Sequence, residues 1–186
     1  MSRKYKFRDN SKLYFVSFAV INWIDVFIRN EYKDVLLGSL QYCQQHKQLD
    51  LYAWCLMTSH VHLIMGSRGN PMHNIMRDLK SHTSAQMRAT IEQHQQESRK
   101  EWMLWMMERA GKKNPNNRDF QFWQQNNEPI ELNTNDLLNN TLHYTHYNPV
   151  EAGFVSSPED WIYSSARDYA GEKGPLDIIL LDYYAS

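Results

Sequence analysis

Met57-Thr58-Ser59-His60-Val61-His62-Leu63-Ile64-Met65 is the stretch on which the reading of this chain turns. A strand alternates its side chains between two faces, so His60, His62 and Ile64 share one face while Val61, Leu63 and Met65 take the other. The second set can seat the strand on a core. The first set points two imidazoles the same way, and neutral imidazole nitrogens are donors for divalent metals. A pair of incidental histidines on a half-exposed strand fits the same run, so its neighbours have to decide between the two.

Upstream, Leu13 to Val20 is rich in β-branched and aromatic residues and reads as a buried first strand. From Asn30 to about His46, Tyr32, Val35, Leu36, Leu40 and Cys43 recur at helical spacing behind Asn30 as a cap. Leu51 to Met57 gives a second strand, close enough to the histidine strand for an antiparallel hairpin. Downstream, Pro71 opens a helix with Met72, Ile75, Met76, Leu79 and Met87 toward a core. The Met and Trp stripe of Trp102 to Met107 reads as core as well. Phe120-Gln121-Phe122-Trp123 is a fourth strand or an extended aromatic clamp. Asn133 to Asp136 caps a further helix through Leu137, Leu138, Leu142 and Tyr144 to Asn148, where Pro149 is expected to stop it. Ser156 to Gly171 reads as a loop and short helix, and Leu176 to Leu181 as a final strand. This order suits an α+β fold, a ferredoxin-like antiparallel sheet with helices packed on it, in one domain spanning residues 1–186.

Composition narrows the setting. The chain has 186 residues, enough to bury one sizeable core without requiring two domains. No stretch is long and apolar enough to span a bilayer, and Met1 to Lys6 lacks the apolar segment of a secretory signal, so a cytoplasmic protein is expected. Cys43 and Cys55 match neither a zinc nor a redox spacing and read as buried thiols. A formal net charge of −1 does not advertise a nucleic-acid binder. Local patches still can: Arg3, Lys4 and Tyr5 lie in a basic opening with aromatics, and Arg109, Lys112, Lys113 and Arg118 gather in a Gly/Asn/Pro-rich stretch.

The second chemical signal is Leu142-His143-Tyr144-Thr145-His146-Tyr147-Asn148-Pro149-Val150. On a helix, residues four apart lie over one another, so the Tyr144 phenol and the Asn148 amide point the same way one turn apart. An amide oxygen can serve a hard divalent ion, and a phenol beside it could attack a phosphate held there. Tyr144 also lies seven residues after Leu137 and could merely extend the core stripe.

Together the two signals carry a resemblance. His60-Val61-His62 after an apolar strand resembles the His-hydrophobic-His signature of the HUH endonucleases. Tyr144 followed by Asn148-Pro149-Val150 and Glu151 to Val155 resembles the catalytic helix of single-tyrosine transposases, above all the REP-associated tyrosine transposases. The likeness runs from the Leu13 strand to Ser165. It implies a ferredoxin-like sandwich with His60, His62 and Asn148 as ligands of Mg2+ or Mn2+ and Tyr144 as the nucleophile, with Tyr147 and Tyr163 as competing phenols. It further implies cleavage and rejoining of single-stranded DNA beside a hairpin, through a 5′-phosphotyrosine and a free 3′-hydroxyl. A phenol holds its proton at neutral pH, and no dedicated base stands out. Arg3, Lys4, Tyr5, Arg77, Lys80, Lys112 and Lys113 are the candidates for gripping the strand. Insertion-sequence relatives form homodimers and the REP-associated branch can act as a monomer, so both states stay open. Two other readings remain: a non-cleaving nucleic-acid-binding module, and a metal-dependent nuclease that uses water.

Overall fold

A computed structural model describes residues 7–114, 119–125 and 128–181. Its centre is an antiparallel sheet of β1 (Tyr14–Ala19), β2 (Leu49–Leu56), β3 (His60–Ser67) and β4 (Ile130–Glu131), in the order β2-β3-β1-β4. The helix α1 (Asn30–His46) links β1 to β2, and β3 lies between those two strands. This is the ferredoxin-like arrangement expected from the order of elements.

Period-two alternation in β3 divides the interior. Val61, Leu63 and Met65 join a large core with Tyr32, Leu36 and Leu40 of α1, the Met72, Ile75 and Leu79 stripe of α2 (Met72–Gln93), and Met103 and Met107 of α3 (Lys100–Lys112). Ile64, on the histidine face, belongs to a smaller core with Phe15, Ala53 and Leu142 of α4 (Asn135–Glu151). Three helices therefore cover one face and α4 the other.

Some expectations need correction. Trp102 and Trp105 stand on the surface, 49% and 52% exposed, because the stripe that meets the core runs through Met103, Met107 and Gly111 instead. Gly111 is required there, since a Cβ would come within 2.3 Å of the Phe120 backbone nitrogen. Phe120 to Trp123 is a clamp and not a full strand: one bridge, Val20 to Trp123, joins it to the sheet, and the Trp123 indole donates to Thr83 Oγ1 at 2.8 Å. The fourth strand is the two-residue β4. Leu176 to Leu181 forms no strand and drapes over the edge, with Ile179 N donating to the Leu51 carbonyl at 2.9 Å. Cys43 and Cys55 are free and buried, as expected.

Pro149 does not end its helix either. It lies inside α4, where its missing N–H costs one bond in the last turn and its ring is buried. The chain turns out of the helix at Gly153, whose φ of 75° suits glycine, and Phe154 N bonds back to the Pro149 carbonyl at 2.9 Å. Asn148 thus keeps helical geometry one turn beyond Tyr144.

Candidate active site

The site is the place where β3 and α4 face each other. Across β3, His62 pairs with Ser17 of β1 and Cys55 of β2, and His60 pairs with Ala19, so small side chains surround the imidazoles. The two rings meet edge to face with centroids 4.8 Å apart. Phe15 stacks on His62 at 5.6 Å.

Thr134 caps the start of α4 by accepting from Leu137 N at 3.2 Å. The buried stripe of the helix then runs through Leu142, Thr145, His146 and Pro149. Tyr144 stands beside that stripe and remains 43% exposed, so it does not extend the core. Its ring meets His62 edge to face, centroids 5.2 Å apart, and also touches Phe15. One turn on, the Asn148 side chain hydrogen-bonds His60. The two imidazoles, the phenol and the amide form one cluster.

Electrostatics follow from burial. Burial drives the His62 pKa down to about 3, helped by the neighbouring His60. His60 is lowered by burial as well, against the opposing pull of its bond to Asn148 and of the Asp25 charge. Both rings are therefore neutral at pH 7 and can donate lone pairs. Neither nitrogen of His62 has a hydrogen-bond partner although the residue is buried. Among the described residues no group of three or more His, Cys, Asp or Glu could hold a metal, so the available donor set here is two imidazoles and an amide.

The other candidates lie elsewhere. Tyr147 stacks on His143 at 3.9 Å. The Tyr163 hydroxyl donates to Asn30 Oδ1 at 3.0 Å. His146, which carried no role in the sequence, is a latch: its Nε2 is 2.9 Å from Ser165 Oγ, and that hydroxyl takes the Trp54 N–H of β2. It ties α4 to the sheet. Arg77 and Lys80 line a groove of about 830 Å³ between α2 and the aromatic clamp, with the Lys80 ammonium donating to the Gln124 carbonyl at 3.1 Å. Lys112 and Lys113 border a separate hollow with Trp105 and Arg109. Arg3, Lys4, Tyr5 and Arg118 are outside the described residues. Sequence reading missed Trp23, whose ring lies 5.3 Å from that of His60, and Asp25, which accepts from Thr58 Oγ1 at 2.6 Å.

Residues 14–108, which hold β1 to β3 and the histidine pair, match the family described as transposase IS200-like. The chain belongs to that family. It is also 27% identical over 177 residues to a Haemophilus influenzae protein assigned by name to the REP-associated tyrosine transposases, covering 91% of this chain and 90% of that one. A solved structure of a REP-associated tyrosine transposase bound to a REP hairpin superposes with a TM-score of 0.65 at 16% identity, covering 100% of this chain and 96% of that one. At that identity the likeness concerns the fold, and it agrees with the sheet order described above.

Proposed function

We propose that this transposase-family chain cleaves and rejoins single-stranded DNA beside a hairpin, with Tyr144 as nucleophile and His60, His62 and Asn148 as ligands of a magnesium or manganese ion. The observation that carries the reading is the meeting of Tyr144 with His62 while Asn148, one turn along the same helix, reaches His60. The unpartnered ring nitrogens of His62 fit a metal, because a buried nitrogen without a partner costs folding energy that a ligand bond would recover. A bound divalent ion would neutralise charge on the scissile phosphate as the attack develops.

The chain's own residues supply the rest. Tyr144 is exposed enough to reach a strand, yet its ring is held by His62 and Phe15. Its oxygen gives up its proton to solvent as it attacks phosphorus, the bond from phosphorus to the 3′-oxygen breaks, and that oxygen takes up a proton and leaves as a hydroxyl. The 5′ end stays on the tyrosine. Reversal of the same exchange with another 3′-hydroxyl joins a new strand. Arg77, Lys112 and Lys113 serve the flanking backbone as surface cations, whereas the part-buried Lys80, its pKa lowered by burial to about 8, is bonded to the Gln124 carbonyl. The REP hairpin named for the solved relative supports a hairpin-bearing strand as the substrate.

The test is to incubate the protein with labelled hairpin-bearing single-stranded DNA and manganese and to run a denaturing gel. A protein-DNA adduct is expected from the unaltered chain and not from Tyr144→Phe or His62→Ala. Cut ends without an adduct would instead mean a water-using nuclease, and metal-independent binding without cutting would mean a binding module.

A further inference from the structure

Trp23 stands outside every role assigned so far. It sits in the short turn of Ile21–Trp23 that follows β1, and both Asn22 and Trp23 hold positive φ, 54° and 56°. Such a conformation is unfavourable for a residue with a side chain, and for a bulky aromatic it persists only where surrounding bonds dictate it. Those bonds are present. Val20 N donates to the Ser59 carbonyl at 2.8 Å, Ile21 N to Phe122 at 2.7 Å, Trp23 N to Val20 at 3.0 Å, and Phe27 N to Thr58 at 2.9 Å. The turn is thus pinned to the same Thr58-Ser59 break that launches the histidine strand.

What this pinning achieves is display. Trp23 is 58% exposed, yet its ring meets that of His60 edge to face with centroids 5.3 Å apart. Core packing does not explain an indole that remains more than half in water. Next to Asn22 begins a hollow of about 410 Å³ that runs along α3, bordered by Met106, Arg109, Lys113, Asn114 and Gln121. Among the described residues no carboxylate lines it. Arg109 is itself steadied over the Trp105 ring at 5.2 Å. An exposed aromatic plane followed by a cationic trough is the chemistry that grips a single strand, the ring taking a base and the cations its phosphates.

Resting on the function proposed above, we infer that Trp23 is the stacking platform for the base beside the scissile phosphate, and that the Arg109 and Lys113 trough carries the backbone of the strand as it leaves. Trp23 is then a positioning residue: it holds the strand so that the phosphate lies over the histidine pair.

Binding without divalent metal tests this apart from cleavage. A single abasic nucleotide is walked through the single-stranded flank of a hairpin oligonucleotide, and the affinity of the full chain is measured at each position. The unaltered chain should lose about tenfold at one position, as expected for one lost stacking contact. Trp23→Ala should flatten that profile, and Trp23→Phe should keep it. Arg109→Gln with Lys113→Gln should leave the profile but lower the dependence of log affinity on log salt by about 1 to 1.5, at roughly 0.7 per lost single-strand phosphate contact. An unchanged abasic profile in a folded Trp23→Ala protein overturns the platform. So does a Trp23→Ala effect confined to metal affinity, which would make Trp23 only a prop for His60. Adduct formation by the unaltered chain alongside either result would leave the nucleophile assignment standing, whereas absence of any strand binding would end both.

Discussion

Glu97 and His62 are both buried polar side chains, and they are treated in opposite ways. The Glu97 carboxylate, fully shielded ahead of α3, is saturated: it accepts from Arg29 at 2.8 Å, from the Arg99 side chain and backbone at 3.1 Å, and from the Tyr32 hydroxyl at 3.4 Å. Although burial pushes its pKa up, the bonds from Arg99 and Arg29 outweigh that and hold it at about 2. His62 is buried with neither ring nitrogen paired. A buried polar group that serves the fold is satisfied by the fold. One left open, as His62 is, carries a desolvation cost that a bound ligand would recover.

The largest expected effect concerns the open side of this contrast. Tyr144→Phe removes one exposed oxygen, so the adduct on a denaturing gel should fall by at least about a thousandfold while stability shifts by less than about 0.5 kcal/mol. A large fall in melting temperature would put Tyr144 among the structural residues.

Acid separates the two groups next. Burial lowers His62 to about 3 and His146 to about 4, below the ordinary 6.5, with His60 and His143 adding to the respective shifts. The unfolded chain therefore takes up protons first, and the stability present above pH 6.5 is lost as pH falls toward those values. The loss should be on the order of 3–5 kcal/mol by about pH 4.5. Glu97, lowered from 4.5 to about 2, keeps most of its contribution down to about pH 4.5 and loses it progressively as pH falls from there through 2. Denaturant midpoints across this range measure both windows, and a flat profile from pH 7 to 5 would contradict the histidine burial.

Substitution then sharpens the comparison directly. Glu97→Ala should cost about 2–3 kcal/mol, less than a fully buried pair because Arg29 and Arg99 can turn to solvent. His62→Leu should do the reverse, leaving stability unchanged or raised by about 1 kcal/mol while adduct formation and manganese binding in a calorimeter disappear. Should His62→Leu destabilise as Glu97→Ala does, His62 is structural and the contrast fails.

Much of this was legible in the sequence, for identifiable reasons. Alternation in β3 separated Val61, Leu63 and Met65 from His60 and His62, because a half-buried strand must divide its residues by face. The capping stretch Asn133 to Asp136, within which Thr134 is the cap, and the four-residue step from Tyr144 to Asn148 put the phenol and amide on one side of a helix. Pro149 misled because a proline near the end of a helix forfeits only one bond, and Gly153 is the true terminus. Trp102 and Trp105 misled because hydrophobicity does not say which apolar side chains of a helix reach the core. The two residues of β4 are too few to carry a period. Trp23 could not have been found, since its left-handed backbone is imposed by bonds to Ser59, Thr58 and Phe122 and not by a glycine.

The most direct measurement is the position of the covalent bond. Adduct formed with hairpin DNA and manganese is digested with nuclease and protease, and the modified peptide is sequenced by mass spectrometry. The account predicts a nucleotide phosphate on Tyr144. A phosphate on Tyr147 or Tyr163, or cut DNA with no modified tyrosine, would contradict it.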